Sequence, residues 1–440
     1  MKITFVGSGY VGLVSGIMMS HLGHFVTCLD IDKDKIDKLK NLEPTIFEDS
    51  LEYYLNQYGN TKRLNFICGY NESIYESDAI FIAVGTPQKD DGNADLHYIF
   101  EAVISSVKYV NPNCVFVIKS TVPPGTCKKI QELLLQNGFN NKVVSNPEFL
   151  REGSAVHDFL NPDRIILGSE SNTALEIIKK IYKPLSDKRV LILATDLITA
   201  ELIKYVSNSF LACKIAFINE MADLCEVIGA DINKLSNGVG LDKRIGSDFL
   251  KAGPGFGGSC FPKDILALQY LTNNLKSDSL ILDSVIKANA NRPRLIIKKI
   301  KKFLGNKIQG KKFAILGLTY KAGTDDLRNS PVIELINLLW ENDVEIRAYD
   351  PQGMSKSAKY FDNKLVCGTS AFEVCIGADA VIIATEWPEF INIDYQKLKL
   401  QLNSPNIIDL RNCLDRKMLS KLGYKCYFIG QKSGNMVHSE

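Results

Sequence analysis

A glycine-rich turn between two apolar runs at the start of the chain restricts its fold more than any other stretch. Lys2 to Val6 reads as a buried strand, Gly7-Ser8-Gly9-Tyr10-Val11-Gly12 as a turn, Leu13 to Leu22 as a helix, and Phe25 to Leu29 as a second strand closing on Asp30. G-x-G-x-x-G between a strand and a helix, with an acidic residue about 20 positions further on, marks a dinucleotide-binding βαβ unit. The first glycine permits the tight turn, the second lets a pyrophosphate approach the backbone at the helix N-terminus, and the third lets helix and strand pack closely. Asp30 is suited to accept hydrogen bonds from a ribose diol and to repel a 2′-phosphate, so the motif favours NAD over NADP.

The same pattern recurs in weakened form. Ser77-Asp78-Ala79 leads into the apolar run Ile80 to Val84, and Ala378-Asp379-Ala380 leads into Val381-Ile382-Ile383-Ala384-Thr385. The region after the polar linker Gly305 to Lys311 therefore reads as a second, degenerate copy of the first architecture. Its opening turn, Gly317-Leu318-Thr319-Tyr320-Lys321, lacks the second and third glycines, so a dinucleotide is not expected to lie on it in the same way. Lys321 and Arg328, flanking Thr324-Asp325-Asp326, are candidates to meet phosphates or a ribose. Between the copies, Asp196 to Ile228 is helical in pattern. Leu202, Val206, Phe210, Cys213 and Phe217 form one apolar stripe, with Ile203, Leu211, Ile215 and Ile218 on another flank, which suits an interior helix or a subunit interface. The expected class is α/β, with two Rossmann-like parallel-sheet domains joined by a long central helix and a small helical domain. The expected bounds are 1–195, 196–304 and 305–430, followed by a polar tail at 431–440.

Four groups of residues carry candidate chemistry. The stretch Gly253-Pro254-Gly255-Phe256-Gly257-Gly258-Ser259-Cys260-Phe261-Pro262-Lys263-Asp264 sets a thiol between a glycine-rich loop and a predicted helix. Pro262 suits the first helical position, and Ile265, Leu268 and Leu271 recur at helical spacing. Free N–H groups and the helix dipole favour a thiolate at Cys260, Lys263 adds positive charge, and the glycines let backbone approach a ligand. The alternative is a buried cysteine after a flexible turn. Lys204 and Asn208 stand one turn apart on the long helix, facing away from its first stripe. A buried lysine there serves as acid or base, whereas one snorkelling to solvent does not. The loop Asn146-Pro147-Glu148-Phe149-Leu150-Arg151-Glu152-Gly153 brings two carboxylates and an arginine to a strand end, either for acid–base work or as a solvated charge cluster. Thr86 and Thr121, also at strand ends, are candidate cofactor contacts or simple caps.

Composition excludes several function classes. With 45% hydrophobic and 23% charged residues, the 440-residue chain reads as globular, with two or three domains. A formal net charge of +2 makes no general electrostatic case for nucleic acid or an anionic membrane. Eleven cysteines, an odd number without a close CxxC pair or zinc-ligand spacing, indicate neither a disulfide framework nor a structural metal, and fit reduced, cytoplasmic thiols. Glycines interrupt the apolar N-terminus, so no signal-peptide core is expected, and no stretch reaches the roughly 20 apolar residues of a membrane span.

Taken together, the Gly7 to Gly12 turn, Gly85-Thr86-Pro87, Ser120-Thr121-Val122-Pro123, Asn146 to Leu150, Glu201 to Asn208, Asn219-Glu220, Gly257 to Asp264 and Lys321 to Arg328 are highly specific. On these motifs the chain resembles the UDP-glucose/GDP-mannose dehydrogenase family over essentially its whole length. The resemblance implies oxidation of UDP-glucose to UDP-glucuronate with two NAD, in a homodimer or larger homo-oligomer built through the central helical region. It implies Cys260 as nucleophile, Lys204, Asp264 and Asn208 as polar partners at the reacting carbon, and Glu148 and Thr121 in the acid–base steps. NAD contacts are implied at Gly7, Gly9, Tyr10, Val11, Gly12, Asp30, Lys35, Thr86, Thr121, Glu152, Lys263 and Arg328. UDP-sugar contacts are implied at Glu148, Phe149, Leu150, Arg151, Glu152, Lys204, Asn208, Phe249, Leu250, Lys251, Ala252, Gly253, Gly257 and Lys321, with Arg244 reaching across the dimer. The same chemistry on GDP-mannose or a UDP-N-acetylhexosamine is the alternative. Members acting on UDP-N-acetylmannosamine resemble the chain less at the thiol, where a histidine is expected in place of Ser259.

Overall fold

A computed structural model of the chain describes residues 1–362 and 364–432. The polar tail read at 431–440 lies, from residue 433 onward, outside the described residues. The chain divides into two compact units, one comprising Met1–Ser207 with Leu266–Lys276, the other Asn208–Ile265 with the chain from Ser277 onward.

The first unit is built on eight strands: β1 (Lys2–Val6), β2 (Phe25–Asp30), β3 (Leu64–Cys68), β4 (Ala79–Ile82), β5 (Val115–Ile118), β6 (Val143–Ser145), β7 (Arg164–Gly168) and β8 (Leu191–Thr195). They form one sheet in the order β3-β2-β1-β4-β5-β6-β7-β8. Every pairing is parallel except that of β6 with β7, which meet antiparallel at Ser145 and Gly168. Alternate residues supply two cores. Ile3, Phe5, Ala79, Phe81, Val115 and Val117 join the helices Tyr10–His21 and Ala155–Leu160 on one face, while Val6, Ile80, Ile82, Phe116 and Ile118 join His97–Val107 and Thr126–Gln136 on the other. Apolar side chains on both faces are what a parallel sheet covered by helices on each side requires, and they explain why these strands read as unbroken apolar runs.

The second unit repeats the plan with β9 (Lys312–Leu316), β10 (Glu345–Tyr349), β11 (Val366–Cys367), β12 (Ala380–Ile383), β13 (Asn406–Asp409) and β14 (Lys425–Phe428), all parallel, in the order β11-β10-β9-β12-β13-β14. The two echoing segments hold equivalent places, since β4 pairs with β1 and β12 with β9. In both sheets the strand order reverses beside the first strand, and the crevice at the carboxyl ends of such strands is where open α/β sheets take ligands. Six strands, β3, β7, β8, β11, β13 and β14, had no clear sequence signal, because short apolar runs do not separate strand from buried helix by period alone.

The helix Leu197–Ile228 gives its first turns to one unit and the remainder to the other. Its predicted apolar stripe is turned outward at Val206, Phe210 and Phe217, which are 49%, 65% and 54% exposed, while Lys204 and Asn208 are buried. Among the described residues no helix is long and apolar enough to cross a membrane.

Candidate active site

The opening turn has the shape a pyrophosphate needs. Gly7 adopts φ of 94° and donates its N–H to Leu29 O at 2.8 Å, closing the turn. A Cβ on Gly12 would lie 1.9 Å from Gly7 O, whereas a Cβ on Gly9 would meet nothing within 4 Å. Gly12 is thus required for packing, and Gly9 leaves open space at the N-terminus of the helix Tyr10–His21, whose first turn has no acidic residue and no side-chain cap. At the end of β2, Asp30 accepts Ser8 N at 2.7 Å, Asp32 N at 3.0 Å and Lys35 Nζ at 3.0 Å, so the carboxylate is oriented beside the turn. Bound here, NAD would find its phosphates met by backbone N–H groups and its ribose by a fixed carboxylate; these residues fit it. Thr86 Oγ1 donates to Thr121 O at 3.1 Å, which ties the two strand-end threonines together.

The second copy cannot present its acidic residue in this way. Asp350 is fully buried and accepts Leu318 N at 2.7 Å, Thr319 N at 3.0 Å, Thr319 Oγ1 at 2.9 Å, Gln352 N at 2.9 Å and Gly353 N at 2.8 Å. Its lone pairs are used by donors of the opening turn after β9 and of its own turn, leaving little for a ribose. On the segment that follows, Arg328 binds Asp326 at 2.8 Å, and the Lys321 ammonium stands 5.6 Å from the Tyr320 ring centre.

In the first unit the loop after β6 is a buried ion-pair site. Glu148 Oε1 lies 3.0 Å from Lys204 Nζ, with the two side chains 6% and 4% exposed, and Glu148 Oε2 accepts Leu150 N at 2.6 Å. Lys204 does not snorkel. Phe149 lies under the Arg164 guanidinium at 3.8 Å, with Lys204 Nζ at 5.3 Å from its ring centre, and Leu150 packs against the core. Arg151 is exposed and bound to Asp158 at 2.6 Å, and Glu152 is half-buried. The sequence reading passed over two residues here. Glu48 is buried, accepts Gly153 N and Ala155 N at 2.7 Å each, and takes the Tyr10 hydroxyl, tying this loop to the opening turn. Lys119 closes β5 as a buried ammonium, donating to Asn146 Oδ1 at 3.2 Å and Tyr182 Oη at 3.5 Å. A lysine at the end of an otherwise apolar strand was the available signal.

The thiol belongs to the second unit's set. Cys260 stands immediately before the helix Phe261–Asn274, half-buried, with Ser259 Oγ 3.5 Å from its sulfur. It is therefore not the core cysteine of the alternative reading. Core cysteines do occur: burial pushes the Cys28, Cys114 and Cys375 thiols up to about 12. One turn into the helix, Asp264 is 1% exposed and accepts Asn208 Nδ2 at 2.6 Å and Lys263 Nζ at 2.7 Å. Lys263, expected to add positive charge beside the thiol, is engaged by Asp264.

The glycines of this loop are packed against the chain itself. A Cβ on Gly257 would lie 2.3 Å from Asn329 O, and one on Gly258, at φ of 82°, would lie 2.8 Å from the Tyr320 ring. They are small because the loop packs against its own chain, with Gly258 N donating to Arg328 O at 2.9 Å. Three side chains complete the clamp. Gly253 N donates to Asn219 Oδ1 at 2.8 Å, Arg292 Nε to Gly253 O at 3.2 Å, and Asn289 bonds both the N–H and the C=O of Phe256, at 2.8 and 3.0 Å. Asn289 and Arg292 lie in a helix far along the chain and gave no sequence signal. Phe249 holds a left-handed φ of 63° with its ring 5.9 Å from that of Phe261. Leu250 and Ala252 point into the core, which leaves only their backbone to offer a ligand, while Lys251 is exposed. Arg244 is 89% exposed and bound to Asp242 at 2.6 Å. Among the described residues no group of three or more His, Cys, Asp or Glu side chains could hold a metal ion.

Three family models match the chain: the NAD binding domain of the UDP-glucose/GDP-mannose dehydrogenase family over residues 1–186, its central domain over 198–291, and its UDP binding domain over 314–416. A UDP-glucose 6-dehydrogenase of Rickettsia bellii (strain RML369-C) is 54% identical over 433 residues, covering 98% of this chain and 100% of the relative. Among solved structures, a UDP-glucose dehydrogenase from the hyperthermophilic archaeon Pyrobaculum islandicum superposes with a TM-score of 0.87 at 35% identity, covering 94% of each chain. A UDP-D-ManNAc dehydrogenase from Pyrococcus horikoshii gives 0.86 at 27% identity, covering 99% of this chain and 100% of that one.

Proposed function

Because the chain belongs to the UDP-glucose/GDP-mannose dehydrogenase family, we propose that it oxidises UDP-glucose to UDP-glucuronate with two NAD. The observation that carries the four-electron reaction is Cys260 at the N-terminus of the helix that also bears Asp264. An alcohol-to-aldehyde oxidation has no use for a thiol, whereas in an aldehyde-to-acid oxidation a thiol can add to the carbonyl and supply the tetrahedral adduct that gives up the second hydride.

When bound, NAD accepts a hydride in each of the two oxidations. We assign the acid–base work of the first to Lys204 and Asp264. The Glu148 ion pair keeps the Lys204 ammonium in place to steady the C6 oxygen, and Asn208 fixes the Asp264 carboxylate. Cys260 then adds through sulfur to the aldehyde carbon, making a thiohemiacetal whose loss of a second hydride leaves a thioester. Water, activated by the Glu148 carboxylate with Thr121 as a polar partner, displaces the sulfur and releases the acid. The balance is one UDP-glucose, two NAD⁺ and one water giving one UDP-glucuronic acid, two NADH and two protons. Covalent capture also prevents escape of the aldehyde between oxidations.

We assign NAD to the first sheet and the UDP-sugar to the Cys260 loop and the second. Bounds of 1–195, 196–304 and 305–430 are proposed for the NAD-binding, helical and UDP-sugar-binding parts. The exposed stripe Val206, Phe210 and Phe217 is assigned to a homodimer interface, in which Arg244 meets the neighbouring site. Counting NADH against UDP-glucose consumed tests the reaction. Two per sugar is expected, and one overturns it. Initial rates on a panel including GDP-mannose and UDP-N-acetylmannosamine test the sugar, with UDP-glucose expected to have the highest kcat/KM.

A further inference from the structure

Lys119 is a buried cation with a 4% exposed surface, and among the described residues no carboxylate lies within ion-pair distance of it. Its Nζ donates to two neutral atoms, Asn146 Oδ1 at 3.2 Å and Tyr182 Oη at 3.5 Å, and the Tyr182 hydroxyl itself donates to Asn146 Oδ1 at 2.6 Å. Asn146 is anchored on its other side by Nδ2 donating to Ile166 O at 2.9 Å. Asn146 begins the segment from which Glu148 projects, and Glu148 carries the 3.0 Å ion pair with Lys204. The charged and titratable groups facing Lys119 are therefore Glu148 and Lys204, which attract and repel it respectively, and the neutral Tyr182. Glu148 makes its ion pair with Lys204 and not with Lys119. A buried ammonium held only by neutral acceptors is costly, and a fold needing only shape at this place would use an apolar side chain.

We propose that Lys119 is a positioning residue of the reaction: through Asn146 and through its field at Glu148 it holds the Glu148 carboxylate in the geometry that orients Lys204. This rests on the assignment of Glu148 and Lys204 to the acid–base steps. The cluster is also pH-sensitive, because burial pulls the Lys119 ammonium down to about 8. Above that pH the Lys119 charge is lost.

The test measures kcat and KM from pH 6 to 10 for the wild type, Lys119→Met and Lys119→Arg, with thermal melts at each pH. The wild type is expected to lose kcat as pH rises through about 8. Lys119→Met should lower kcat roughly tenfold or more at pH 7, remove that limb, and leave both KM values within about threefold. Lys119→Arg, whose charge persists at every pH tested, should recover part of the lost kcat and move the limb upward. A Lys119→Met enzyme that melts as the wild type does and keeps its kcat and its basic limb overturns the proposal. So does a loss of activity that follows a loss of melting temperature in both variants, with no change in the pH profile. Failure of the wild type to form NADH from UDP-glucose overturns the assigned reaction itself, a separate and distinguishable result.

Discussion

Asp30 holds the opening turn and, in the proposed reading, also meets the ribose. It accepts Ser8 N and Lys35 Nζ, so removing the acceptor altogether disturbs the turn as well as the ribose contact. Asp30→Asn keeps one acceptor oxygen. It should raise the KM for NAD about 10- to 100-fold, as expected for a lost charge-assisted hydrogen bond, and raise the NADP-to-NAD ratio because the repulsive charge is gone. Steady-state kinetics with both cofactors check this, and an equal rise in the KM for UDP-glucose contradicts it. Cys260→Ser should abolish acid formation while calorimetry still detects binding of NAD and UDP-glucose, because the sulfur is assigned to chemistry and not to affinity. Lys119 makes a prediction about stability. Its folded pKa is about 8 against an ordinary 10.5, so between those values the unfolded chain holds more protons and the stability contribution from this group rises with pH. Below 8 burial costs on the order of 3 kcal/mol in full. In urea melts, the advantage of Lys119→Met over the wild type should be greatest at pH 7 and shrink by pH 9.5.

At the scale of elements, the two glycines of the opening turn separate packing from binding. Gly12→Ala drives a methyl group into Gly7 O and forces the helix Tyr10–His21 off the sheet. A loss of roughly 1–3 kcal/mol in urea unfolding is expected. Gly9→Ala meets no protein atom and should leave stability within about 0.5 kcal/mol, while weakening NAD binding by filling the space above the helix N-terminus. Equal effects of the two substitutions on stability would contradict this division of labour. The thiol loop follows the opposite logic: Gly257 and Gly258 are packed against Asn329 and Tyr320, and Asn219, Asn289 and Arg292 tie its backbone in place. These contacts hold the loop on several sides, which suits the nucleophile proposed at Cys260.

For the whole molecule, the central helix leaves large apolar side chains uncovered in the single chain, and Phe210→Asp with Phe217→Asp should convert the proposed dimer to a monomer in sedimentation. The two-sheet architecture was legible because alternate apolar residues feed two cores and because a repeated apolar strand phrase, at Ala79 and at Ala380, marks the same place in two sheets. Period, glycine spacing and strand-end residues are local properties, so they can be read in one dimension. The sequence by itself therefore determined the dinucleotide turn, the thiol before a helix and the lysine–amide spacing on the long helix. Tertiary structure alone decided that Lys204 is paired with Glu148, that Lys263 is held by Asp264, that Asp350 is satisfied by the turn after β9, and that Lys119 is buried beside the pair. The reason is that an ion pair or a buried charge is fixed by which side chains the packed core leaves within about 3 Å of each other, and that distance has no counterpart in the spacing of residues along the chain.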